Sequence, residues 1–192
     1  LSQANKEAGI MKRNSEAGFS YIDVMIALVI LMVGILAMLS GISASILQSR
    51  GQEQQTLAKQ IATSTMESIM SVKETDPARL GWAAVGNVGS NPNELGVAQG
   101  IFVTGFQPVF LNAGPDEVIG TADDNGSMVA QLQRRIVITD ICDPDRPSPI
   151  CPTPGTKAIR MRRVQVTITY NVGSLQRQEQ LATVLTDYAV DN

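Results

Sequence analysis

Apolar residues are spread unevenly along the chain. Residues 24–47 read VMIALVILMVGILAMLSGISASIL and carry no charge. That run exceeds the roughly 20 apolar residues needed to cross a bilayer core. It is also longer than the about 7–15 apolar residues of a cleaved secretory signal. A buried core helix is usually amphipathic and shorter, so the run reads as a retained membrane anchor. Beyond Leu47 the pattern changes: Arg50, Glu53 and Lys59 mark the exit from lipid. Leu57, Ala58, Ile61, Ala62, Met66, Ile69 and Met70 then recur at spacings of three and four, which predicts a continuing helix with one apolar face. The methionines in that stripe read as core-facing rather than as an adaptable binding surface. Gly51 is a candidate weak point or bend, because glycine disfavours helix interiors. Pro77 predicts a stop just before it.

Residues 78–100 are rich in glycine and asparagine and have no clear period, so they read as a connection. Trp82, the only tryptophan, is expected to anchor packing there. Four strand candidates follow. Residues 101–109 are one, with Pro108 arguing for an end or an edge. Residues 128–141 alternate over RRIVITDI, and residues 157–170 end in the clearer alternation VQVTITY. Residues 175–188 form the last, joined to its predecessor by the hairpin-like turn Asn171-Val172-Gly173-Ser174. A long N-terminal helix packed on an antiparallel sheet is an α+β layering. No internal repeat is visible.

Charge and chemistry refine this picture. A net charge of −3 gives no bulk reason for nucleic-acid binding. Lys12 and Arg13 precede the apolar run, which puts the N-terminus in the cytoplasm and the bulk of the chain on the far side. Cys142 and Cys151 bracket a short loop with Pro144, Pro147 and Pro149. An oxidising compartment lets them pair, for roughly 2–3 kcal/mol of chain entropy. The prolines already restrict the unfolded loop and reduce that figure. Two free thiols are the alternative; without histidine or a third cysteine, a Cys/His zinc site is excluded.

Asp23 stands five residues into the apolar segment that opens at Phe19. A carboxylate at the centre of a membrane helix costs about 2.5–3.5 kcal/mol, less near an end, and the apolar segment offers it no partner. Cleavage after Gly18 would supply one as a new α-amino group on Phe19. The stretch Gly18-Phe19-Ser20-Tyr21-Ile22-Asp23-Val24 resembles the processing site of type IV prepilins. In that family a membrane aspartic peptidase cuts after the glycine and methylates the new N-terminal residue. The acid at the fifth mature position, normally glutamate, pairs with a neighbouring subunit's amine during assembly. Asp23 is one methylene shorter. The following ALVILMVGIL is similar to the helix start of PilV-type minor pilins. A start at Met11 would give a leader of eight residues, and the sequence leaves open whether Leu1 or Met11 is first.

The resemblance implies a leader (1–18) that is removed, a transmembrane and assembly helix (19–48), its periplasmic continuation (49–76) and an antiparallel-sheet head (77–192). It further implies a single-pass inner-membrane precursor with a periplasmic head that later joins a cell-surface pilus. Its partners would be other pilin subunits, the prepilin peptidase and methyltransferase, and the inner membrane. Type II secretion pseudopilins share this chemistry and stay open as an alternative, as does, from a different class, a membrane-anchored periplasmic enzyme.

A loop, Asn112-Ala113-Gly114-Pro115-Asp116-Glu117-Val118-Ile119-Gly120-Thr121-Ala122-Asp123-Asp124, resembles the GPDGxxGTxDD calcium loop of major pseudopilins. Glu117 stands where that pattern has its second glycine. Calcium takes hard oxygen ligands, so Asp116, Asp123 and Asp124 are the candidate ligands, against the alternative of a solvated acidic turn. Catalysis finds little support: no histidine means no Ser-His-Asp or Cys-His arrangement. Asp140, Asp143 and Asp145 suit exposed turns. Lys157, Arg160, Arg162 and Arg163 form a basic stretch. Alternation puts Arg160 and Arg162 on one face and Arg163 on the other. A solvated strand face is the expectation; DNA, whose uptake involves some minor pilins, is the sharper alternative.

Overall fold

The computed structural model describes residues 18, 20–76, 79–92, 96–141 and 159–187. Phe19, Pro77, Asp143, Asp145, Lys157, Cys142, Cys151 and residues 1–17 lie outside them, so the expected cleavage between Gly18 and Phe19 and the expected Cys142–Cys151 pairing fall outside the described residues. The element order is α1 (Tyr21–Glu74), α2 (Gly81–Ala84), β1 (Phe106–Asn112), β2 (Asn125–Ile141), β3 (Met161–Val172) and β4 (Leu175–Thr186). The four strands form one antiparallel sheet in the order β1-β2-β3-β4. The chain is thus α+β, with a 54-residue helix preceding the sheet.

Two compact units divide the chain, Leu1–Ser45 and Ile46–Asn192. In the first, α1 is apolar all round. Its most apolar 18-residue window has a mean hydropathy of 2.8 and none of it is buried. This is one helix long and apolar enough to cross a membrane.

The second unit begins inside α1, so the later half of the helix and the strands share a core. Ala58, Ala62, Met66, Ile69 and Val72 from α1 join Val109, Leu132, Ile136, Ile138, Val164, Val166, Ile168, Tyr170 and Leu185 in one buried cluster. The helical stripe is as the spacing predicts at Ala58, Ala62, Met66 and Ile69. Thr65 and Val72 also belong to it, while Met70 is exposed. Gly51 is not a break, since α1 runs through it. A Cβ there would lie 3.2 Å from Val172 Cγ1. Its missing side chain lets the end of β3 come close.

On β3 the even positions from Arg162 to Tyr170 face the core and Arg163 faces solvent. The predicted basic face is therefore corrected. Arg160 lies exposed just before β3, but Arg162 is 3% exposed. It is withdrawn from any solvent-facing basic surface, including one for DNA. The β3–β4 hairpin turns at Gly173-Ser174 between the paired Val172 and Leu175. Gly173 has φ +62, as the first central residue of a type II′ turn requires. The first strand lies later than predicted, at Phe106–Asn112 rather than 101–109. Pro108 is on an edge strand, as expected, where a missing N–H is tolerated. Between Pro108 and Phe110 the β1–β2 register shifts, and Gln131 takes φ +65, which marks a bulge.

Candidate functional site

Asp23 lies in the first turn of α1. Ser20 N–H donates to Asp23 Oδ2 at 3.2 Å. Ser20 Oγ in turn accepts the Ile22 N–H at 3.4 Å, and Ser20 C=O accepts the Asp23 N–H at 2.9 Å. This is a variant of the capping box, with aspartate in the place of glutamate and the Ser20 hydroxyl on the second helical amide rather than the third. Its charge also sits at the positive end of the helix dipole. The carboxylate thus has a local partner inside the segment that opens at Phe19, which corrects the expectation that this segment offers none. The signal was present as Ser-x-x-Asp directly before the run. Gly18, two residues ahead of Ser20, is open: a Cβ there would meet nothing within 4 Å.

The acidic loop is held by its own carboxylates. Asp116 Oδ1 accepts the Val118 N–H at 2.8 Å. Asp123 Oδ1 accepts the Thr121 hydroxyl at 2.5 Å, and its Oδ2 accepts the Asp116 N–H at 3.3 Å. The Thr121 hydroxyl, more than any other contact, holds Asp123 below the usual carboxylate range, against partial burial that pushes it up. Asp124 accepts the Gly120 N–H at 3.0 Å and forms an ion pair with Arg134, both side chains nearly buried. Ser68 Oγ on α1 accepts the Ile119 N–H at 3.0 Å, which ties the loop to the helix. The three candidate ligands therefore share a loop, and amide, hydroxyl or guanidinium donors already bond at least one oxygen of each. Among the described residues no group of three histidine, cysteine or acidic side chains is gathered to hold a metal ion.

A second polar constellation was not legible as one in the sequence. Arg162 Nε donates to Asp140 Oδ1 at 3.0 Å, and its Nη1 donates to Trp82 O at 2.8 Å and Val85 O at 2.6 Å. The guanidinium lies 4.7 Å from the centre of the Trp82 ring, a cation–π distance. Burial pushes Arg162 down from its ordinary range, and Asp140 opposes the shift. Trp82 Nε1 donates to Ile159 O at 2.7 Å. Trp82 is thus a packing anchor, as expected, and it carries Arg162 on its ring.

Beside this cluster, Asn87 and Asn91 are buried. Asn87 Nδ2 donates to Ile136 O at 3.0 Å and Asn87 Oδ1 accepts the Ile138 N–H at 2.7 Å. Asn91 Nδ2 donates to Ile138 O at 3.3 Å and to Asp140 Oδ1 at 2.9 Å. β1 stops pairing with β2 at Arg135. The two asparagine amides thus satisfy the β2 backbone where the neighbouring strand has ended. These contacts fasten the connection to the sheet and arrange no nucleophile beside a base. Comparison with known proteins returns no matching family, no matching curated protein and no matching solved structure.

Proposed function

We propose that the chain is a type IV pilin-like subunit, a minor pilin made as a precursor and assembled into a filament through α1. It is held as a single-pass protein in the inner membrane, N-terminus in the cytoplasm and head in the periplasm. A prepilin peptidase cuts after Gly18, and Phe19 becomes the methylated N-terminus. The protein acts as a structural subunit and not as an enzyme.

The observation that carries this reading is the uncovered first part of α1. Its large apolar side chains between Val24 and Leu47 are 47–73% exposed. Such a surface needs lipid, other copies of the helix, or both in turn. The motif Gly18-Phe19…Asp23 directly before it supplies the processing chemistry. The test is the mass of the mature N-terminus together with the protein content of sheared filaments. The expected product starts at N-methylated Phe19 and co-purifies with filaments, and Gly18→Leu blocks its formation. Mature protein that retains Lys12 and Arg13 overturns the reading.

A further inference from the structure

We infer that the β3–β4 turn is a lipid-contact element, and that the groove between this turn and α1 receives the phosphate-bearing headgroup of a membrane lipid. This rests on the reading of residues 24–47 as membrane-spanning. All the residues that build the groove belong to the unit that begins at Ile46.

Position is the first argument. Leu47 is the last apolar residue of the uncharged run, and Gly51 follows one turn later, about 6 Å along the helix axis. Val172, at the root of the turn, packs at Gly51. The headgroup layer adds about 5–8 Å on each side of the hydrocarbon core. With the hydrocarbon boundary at Leu47, a turn that packs at Gly51 lies within headgroup depth.

Shape and chemistry agree. The groove measures ≈ 670 Å³, within the roughly 300–1,000 Å³ typical of small-molecule sites. Leu47, Gln48 and Gln52 line one side, and Ser174, Leu175 and Arg177 the other. Leu175 is 62% exposed at the tip, an apolar side chain suited to the acyl boundary. Arg177 is exposed and forms no ion pair among the described residues. Glu179, the nearby acid on β4, is held by Gln55 Nε2 at 2.7 Å. A guanidinium flanked by amide and hydroxyl groups, with a leucine beside it, complements a lipid phosphate above its first acyl carbons.

The test is photo-crosslinking of the full chain in vesicles of phosphatidylglycerol and phosphatidylethanolamine, with benzoylphenylalanine placed in turn at Met32, Leu175 and Val184. Val184 is an exposed apolar control at the far end of β4, about 30 Å from the turn. Lipid adducts at Met32 and Leu175 but not at Val184 are expected. Arg177→Gln should lower the Leu175 adduct about fivefold while leaving the Met32 adduct unchanged. An adduct at Met32 alone overturns the lipid contact and leaves the span intact. No adduct at Met32 removes the span and the lipid contact together. A protein–protein adduct at Leu175, equal yields at Leu175 and Val184, or insensitivity to Arg177→Gln also overturns it.

Discussion

Glu117 takes φ +59, a left-handed conformation that costs a non-glycine residue roughly 1–2 kcal/mol. It occupies the position where the resembled calcium loop carries glycine. The carboxylate–amide bonds of Asp116, Asp123 and Asp124 around it hold the backbone in that conformation. Glu117→Gly should remove the strain, while glycine's greater freedom in the unfolded chain takes part of the gain back. The expected result is a net stabilisation of up to about 1 kcal/mol, read as a higher denaturant midpoint with an unchanged slope. A lower midpoint would mean that the Glu117 side chain stabilises the loop by more than the strain costs. The sequence showed this position as a departure from a pattern; its physical meaning needed the dihedral angle. Arg162 is the opposite lesson at the same scale. Alternation assigned its face of the strand correctly, but nothing local told which face the helix and α2 would cover. An arginine on a covered face is acceptable here because Asp140, two carbonyls and an indole ring meet it.

Elements were legible in proportion to how local their signals are. The later half of α1, β2 and β3 follow from periodicity, because each writes its burial into every second to fourth residue. The first part of α1 follows from its unbroken apolar run, and β4, where only Leu185 is buried, follows from the turn that pairs it with β3. β1 follows from none of these. Phe102, fully buried, forms an isolated bridge with Asn87 rather than part of a strand, and its apolar neighbours drew the predicted strand too early. The Gly/Asn-rich connection looked featureless because its work is done 47 to 51 residues away, where Asn87 and Asn91 reach Ile136 and Ile138. Asn87→Ala should leave the Ile136 carbonyl and the Ile138 amide buried without partners. Each such group costs about 1–3 kcal/mol, so a destabilisation of about 3 kcal/mol is expected in denaturant unfolding. The Ile138 amide should lose its protection from hydrogen exchange while Val164 and Val166 on β3 keep theirs. Uniform loss across the sheet would show that Asn87 supports the core in general rather than this edge.

At the scale of the whole molecule, one helix performs two tasks with two different surfaces. From Ile46 onward it presents a narrow stripe, closed by the sheet; before that it is apolar on every side and its own fold leaves it bare. Asp23 stands at the head of the bare part with two claims upon it. The proposed assembly role asks its charge to meet an incoming subunit's amine, where pairing in a low dielectric is strong. The structure gives its carboxylate a local task, accepting the Ser20 N–H while Ser20 Oγ accepts the Ile22 N–H. Three variants separate the two. Asp23→Glu keeps the charge and restores the usual capping-box acid, so filament incorporation should be preserved. Asp23→Asn keeps the size and an oxygen acceptor for the Ser20 amide but removes the charge, so incorporation should fall sharply while membrane insertion holds or improves. Ser20→Ala removes the hydroxyl half of the cap, worth about 1 kcal/mol, and leaves the carboxylate in place. Incorporation measured in sheared filaments, against total membrane-inserted protein, decides between them. A large loss with Asp23→Asn and little with Ser20→Ala supports charge pairing between subunits. Equal losses would make helix capping the reason for an acid at this position, and normal assembly of the asparagine variant would leave packing of the apolar helix to drive filament formation alone.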